Sequence, residues 1–264
     1  MFKKNLLIFL IVVSFSKLVF AEEKITEETM QIEAWNSADG LKKLQKSSFK
    51  NDFYQLINFY QPQENPLYCS VAVATIISNA LDYGKIPSQK ASEVKIPQSN
   101  KIIEYRLYQQ KTFLNKKTEE IKKSAIIELK QPKTTSNNQE IYDGGINLAD
   151  FNKMLSMAHG FKTKLIYATK NDEESIKKFR DKLKEVLLDD KSFVVANFDG
   201  KITGSLTNGH FSPIVAFDES SDSVLVLDVA LHKNQWYWTS LKKLYEAMNS
   251  KDEETYRGYL IISR

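Results

Sequence analysis

The sequence predicts an α+β domain of two lobes with a cleft between them. Three observations carry that expectation. Helical patterns dominate the chain up to about residue 188, and the last third switches to short apolar runs of strand character. A turn-rich segment, Asp218-Glu219-Ser220-Ser221-Asp222, then joins two of those runs as an antiparallel hairpin.

Residues 22–45 are polar and charged, which reads as an arm or an early helix ahead of a domain spanning 46–264. Aromatic residues follow at Phe49, Phe53, Tyr54, Phe59 and Tyr60, and then a polar loop from Gln61 to Pro66 with two prolines. Ser70 to Tyr83 is apolar on nearly all sides, and Gly84 stands where a C-cap belongs. A buried helix is expected there, with Cys69 at its N-terminus. Residues 85–142 are polar and aperiodic, with an exposed loop over 134–139. Asn147 is an N-cap candidate for a helix with Leu148, Phe151, Leu155 and Ala158 inward and Gly160 at its end. Lys164 to Ala168 reads as a strand. Residues 173–188 read as an amphipathic helix, with Ile176, Phe179, Leu183, Val186 and Leu187 on one stripe. Strands are expected at 193–198, 211–217, 224–229 and 259–262, with a short helix at 240–248.

Residues 1–21 have the signal-peptide pattern: a basic start, an apolar run from Leu6 to Val13, and Val19 and Ala21 before the charged stretch. The run is shorter than the roughly 20 residues that span a bilayer, and Lys17 interrupts it. Cleavage after Ala21, export to a periplasm or the cell exterior, and no lasting membrane insertion are expected. The net charge of +4 includes Lys3, Lys4 and Lys17 and falls to about +1 without them, which offers no electrostatic footprint for nucleic acid. The chain has one cysteine and three histidines, so it has neither an internal disulfide nor a zinc-site pattern.

A lone thiol in an oxidising compartment is either buried and inert or used chemically. A helix N-terminus favours the thiolate, and the polar loop before Cys69 argues for an edge rather than a core. His210 opens a strand, and Asp228 lies at the far end of its hairpin partner. Folding the hairpin about residues 219–221 brings 210 and 228–230 opposite or diagonal to one another. A carboxylate between Leu227 and Val229 in an apolar run needs a partner. Cys69, His210 and Asp228 are therefore the candidate nucleophile, base and orienting acid. The Cys69 backbone N–H and a side-chain amide from Gln61, Gln63 or Asn65 are candidate oxyanion donors. His159 reads as a surface cation at a helix end, and His232 as a residue able to line the cleft.

With those residues assembled, the chain resembles the phytochelatin synthase family, bacterial short form. Gln63-Glu64-Asn65-Pro66-Leu67-Tyr68-Cys69-Ser70-Val71-Ala72 is similar to the family's nucleophile segment. Gly209-His210-Phe211-Ser212-Pro213-Ile214 is similar to its histidine motif, and Leu225-Val226-Leu227-Asp228-Val229 to its aspartate strand. Lys243 to Asn249 with Arg257-Gly258-Tyr259 resembles its C-terminal end. Tyr108 to Leu114 and Gly145 to Leu148 also fit. The resemblance implies a papain-like fold and cleavage of the Cys–Gly amide of glutathione through a γ-glutamylcysteinyl thioester on Cys69. Water or a second glutathione would then take the acyl group. It selects Gln63 as the oxyanion amide and Arg257, Gly209 and Lys233 as substrate-side residues. It implies no required cofactor, admits cadmium or zinc thiolates of glutathione as co-substrate or activator, and allows a homodimer. Ser70 and Asn208 stand where the family usually has glycine. Leu231-His232-Lys233-Asn234-Gln235-Trp236 replaces its usual basic-aromatic stretch; if that loop holds the acceptor, its change favours hydrolysis over transfer.

Overall fold

The structure, a computed structural model, describes residues 32–82, 92–99, 101–105, 107–121, 133–134, 140–141, 145–252 and 254–264. The expected signal peptide, the Gly84 cap and most of the loop over 134–139 lie outside them.

An antiparallel seven-stranded sheet forms the middle layer of an α+β fold. Its strands are β1 (Glu33–Ala34), β2 (Lys162–Tyr167), β3 (Ser192–Asp199), β4 (Gly209–Asp218), β5 (Ser223–Val226), β6 (Tyr237–Ser240) and β7 (Gly258–Ser263). In space they run β1-β6-β5-β4-β3-β7-β2. β3 to β6 follow one another as a meander. β7 instead inserts between β3 and β2, so Gly258 pairs with Asn197 on one side and Tyr167 on the other. A Cβ on Gly258 would lie 2.1 Å from Ile166 O, which explains glycine there.

Helices cover both faces of the sheet. α1 (Ala38–Lys46), α2 (Asn51–Ile57), α3 (Cys69–Asp82), α4 (Gln110–Phe113) and α5 (Leu148–Lys153) bury their apolar residues in one core. α6 (Glu173–Leu188) and α7 (Leu241–Met248) bury theirs in the other. Helices followed by a separate sheet lobe were expected; the sheet instead lies between two helical layers. The reason is visible in β3. Phe193 and Val195 face the first core while Val194, Ala196 and Phe198 face the second, so both sides of the strand are apolar.

α3 is buried nearly all round, with Val71, Ala72, Val73, Ala74, Ile76 and Ile77 fully enclosed. Burying each of its isoleucines stabilises the domain by about 1.5–3 kcal/mol. α5 starts where its cap predicts: Asp150 N donates to Asn147 Oδ1 at 2.8 Å. A π-helical turn, Met154–Ala158, extends it to Gly160, which has φ +69°. α6 is capped by Asp172, whose side chain accepts from Ser175 N.

Part of the segment read as a polar arm packs on the domain. β1 pairs with β6, Ser37 caps α1, and Trp238 Nε1 donates to Gly40 O at 3.1 Å. Trp35 meets Trp236 at 5.1 Å between ring centroids, and Tyr60 meets Trp236 edge-on at 4.9 Å.

Candidate active site

Three elements converge at one end of the sheet. Cys69 is the first residue of α3, partly buried and a free thiol. The turn before it is set by Asn65, whose Oδ1 accepts from Leu67 N and whose carbonyl accepts from Tyr68 N. That Asx turn aims the chain into the helix and leaves the sulfur at the positive end of a 14-residue dipole.

His210, 3% exposed, is the second residue of β4. Its Nε2 donates to Asp228 Oδ1 at 2.8 Å, which leaves Nδ1 for the sulfur side. Asp228 is fully buried just past the end of β5. Its Oδ1 also accepts from Ala230 N at 2.8 Å, and its Oδ2 accepts from Asn234 Nδ2 at 3.2 Å. Tyr60 Oη donates to the Asp228 carbonyl at 2.9 Å.

A β-bulge makes this pairing work. Asp218 pairs with Ser223 and Phe217 with Val224, but the register shifts between Ile214 and Ala216, so Ile214 meets Val226. Carried on without that shift, Asp228 would stand opposite Pro213 and on the other face from His210. With the extra residue in β4, Leu227 N bonds Pro213 O at 3.0 Å, and Asp228 shares the face of Ser212 and His210. The hairpin expectation of a diagonal pair holds, and the bulge supplies its reason.

Burial alone pushes the His210 imidazole down. The Asp228 carboxylate outweighs that through charge and hydrogen bonding, and the Cys69 sulfur adds to it, raising the imidazole to about 10. The cationic form of His210 is the stable one beside the sulfur. A cysteine–imidazolium pair of this kind can attack an amide and protonate its leaving nitrogen.

A cleft of about 330 Å³ opens in front of the sulfur. Gln63, Cys69, Gly209, His210, Lys233 and Arg257 all line it, and Asp228 stands behind His210. The three upstream amides separate. Gln61 Oε1 accepts from Gln110 and lies along a different cavity, and Asn65 is spent on its turn. Gln63 lines the cleft, its Nε2 donates one hydrogen to Asn65 O at 2.9 Å, and its backbone N–H bonds Val229 O. Gly209 has a steric role: a Cβ there would lie 2.5 Å from Arg257 Nη2. The Arg257 guanidinium donates to Lys251 O and lies 3.6 Å from Asp252 Oδ1. Lys233 and His232 are exposed on the rim.

His159 differs from its expectation. It is partly buried, its Nε2 donates to Phe113 O at 2.8 Å, and its ring stacks on Phe113 at 4.4 Å. Burial pushes its pKa down, so it is a neutral structural ring and not a surface cation. Among the described residues, no three His, Cys, Asp or Glu side chains cluster as metal ligands.

Sequence reasoning missed Asn197, Asn234 and Gln110. Asn197 Nδ2 donates to His210 O at 3.2 Å, and the residue lines the cleft. Its signal was a polar residue inside an apolar strand. Asn234 carried no such signal, because it sits in a polar loop.

Fold and cleft define a class: an α+β domain with a Cys–His–Asp constellation, its cysteine at a helix N-terminus and its histidine on a strand. A sequence model of the phytochelatin synthase family matches residues 20–259, and the chain belongs to that family. It is 27% identical to glutathione gamma-glutamylcysteinyltransferase 2 of Arabidopsis thaliana, over 84% of this chain and 41% of that protein. It is 28% identical to glutathione gamma-glutamylcysteinyltransferase 1 of Lotus japonicus, over 80% of this chain and 36% of that protein. The Schizosaccharomyces pombe glutathione gamma-glutamylcysteinyltransferase is 32% identical over 47% of this chain and 29% of that protein. The chain thus spans about two-fifths of the length of the Arabidopsis relative.

Proposed function

We propose that this chain is a papain-like glutathione γ-glutamylcysteinyltransferase or hydrolase that cleaves the Cys–Gly amide of glutathione. The observation that carries the reading is the meeting of Cys69, His210 and Asp228 at one cleft, in a chain whose relatives bear that activity in their names.

The Cys69 thiolate attacks the amide carbon. The oxygen becomes an oxyanion, held by the Cys69 backbone N–H and the second Nε2 hydrogen of Gln63. The His210 imidazolium gives its Nδ1 proton to the glycine nitrogen. The C–N bond breaks, glycine leaves, and a thioester remains on Cys69. The now neutral His210 takes a proton from water or from the acceptor's nucleophilic group, which attacks the thioester and regenerates the thiolate. Asp228 holds the imidazole through Nε2 and stabilises its charge. Arg257 and Lys233 supply positive charge for substrate carboxylates, and Gly209 keeps the guanidinium lying over the floor of the cleft. Cadmium or zinc thiolates of glutathione enter as co-substrate or activator, and the reaction requires no resident cofactor. Export and dimerisation complete the reading.

A cleft of about 330 Å³ falls in the size range of small-molecule sites, in keeping with a tripeptide such as glutathione. The test is to incubate the protein with reduced glutathione, with and without cadmium or zinc, and follow products by mass. Free glycine is expected. Peptides with two γ-Glu-Cys units mark transfer, and γ-Glu-Cys alone marks hydrolysis. No glycine at any pH sinks the reading.

A further inference from the structure

The loop that carries Gln63 is not held by its own backbone. Between Gln61 and Glu64 its backbone bonds outward, and several of its polar groups meet one side chain, Gln110. Gln110 Nε2 donates to Pro62 O at 2.8 Å and to Gln61 Oε1 at 3.2 Å. Gln110 Oε1 accepts from Glu64 N at 2.9 Å. These bonds bracket Gln63 on both sides in sequence. Gln110 itself is fully buried, although glutamine usually lies at the surface. It is the first residue of α4, and α4 packs on α3 through Phe113 in the first core. The neighbouring turn ties α4 to α3 again: Asn79 Nδ2 donates to Tyr108 O, and Tyr108 N donates to Asn79 Oδ1.

We propose that Gln110 is a positioning residue for the reaction. It clamps the 61–64 loop so that the Gln63 amide meets the developing oxyanion beside Cys69. The inference rests on the reaction proposed above. The physical logic is that an oxyanion donor is effective only when fixed before charge develops, and a prolyl loop has few donors of its own to fix it. A side chain anchored in the same core as the nucleophile helix gives both partners a common frame. A displacement of about 1 Å in such a donor costs up to about 100-fold in rate. Gln110 touches no reacting atom and acts through Gln63.

Gln110→Met tests the assignment, because it keeps side-chain length and removes all three bonds. The variant is expected to lower kcat for glycine release about 10- to 100-fold with KM changed less than about 3-fold. Gln63→Ala should give a comparable loss, and the double variant should lose little more than Gln63→Ala alone. Glu64 amide hydrogen exchange gives a readout free of activity, and its protection should fall at least about 10-fold in Gln110→Met while α3 amides stay protected. Unchanged kcat, a loss appearing only in KM, full additivity with Gln63→Ala, or unchanged Glu64 protection would each overturn the proposal. Wild-type protein that releases no glycine fails the proposed reaction itself. In that case altered Glu64 protection still reports the clamp, and its catalytic purpose is refuted with the reaction.

Discussion

Two groups of residues at the cleft are finished differently. At β4 and β5, the Asp228 carboxylate is saturated by His210, Ala230 and Asn234, and Tyr60 takes its carbonyl. Elsewhere in the cleft lining, Gln63 Oε1, Asn197 Oδ1 and Arg257 Nε are buried with no partner within the protein. A buried polar atom without a partner costs about 1–3 kcal/mol, so the fold carries several such costs in one place. On the proposed function, the difference separates a catalytic dyad, which must be rigid before substrate arrives, from a recognition surface, whose polar groups the substrate would match. Asp52 offers the contrast. It too is buried with both oxygens unpartnered, but it lies in the first turn of α2 and is not among the residues lining the cleft.

Substitutions of the catalytic residues should have the largest effects. Cys69→Ala removes the nucleophile and is expected to lower glycine release at least about 10³-fold with little change in Tm. Glycine release that survived it would break the assignment. Asp228→Asn should cost roughly 10²- to 10³-fold in kcat. It should also move the alkaline limb of the kcat/KM profile to lower pH. Asp228 raises the His210 pKa, so removing its charge lets the imidazolium lose its proton earlier. The proton on His210 contributes stability below pH about 6.5, and that contribution is lost as pH rises towards about 10, so Asp228→Asn should also flatten that part of the stability curve. A profile that stayed in place would show that the dyad does not set the limb.

The recognition residues should respond through KM. Gly209→Ala drives a methyl into the Arg257 guanidinium and should raise KM roughly 10-fold with a smaller change in kcat. Equal loss in kcat would move Arg257 from binding to the chemical step. Asp52→Asn should leave kcat unchanged. Burial, with Asp189 adding, raises the Asp52 carboxyl to about 9. The folded state therefore holds a proton that the unfolded chain releases above its ordinary value, and stability falls as pH rises between about 4 and 9. Asp52→Asn removes that slope. Its Tm at pH 8 should exceed wild type by roughly 5 °C, with no gain near pH 4. Thermal melts at the two pH values decide it.

The legible parts of the chain were those in which neighbours three or four residues apart carry the information. The Asn147 and Asp172 caps and the apolar stripe of α6 fix those helices locally. Cys69 at a helix start was legible for the same reason, and the hairpin joining His210 to Asp228 because a single turn segment, 218–222, links two apolar runs. Arg257 was reached only through resemblance, because β7 returns across the sheet from the chain's far end to set it over Gly209.

The sequence by itself determined the α+β class, the helix boundaries around the nucleophile and the three residue types that could perform thiol chemistry. Tertiary structure decided the rest. The bulge between Ile214 and Ala216 turns Asp228 to the face of His210, and a single residue of slip would undo it. Packing of α4 on α3 brings Gln110 to the loop, which distinguishes Gln63 from Gln61 and Asn65. Each of these depends on partners a dozen or more residues apart, and short-range periodicity carries no record of such partners.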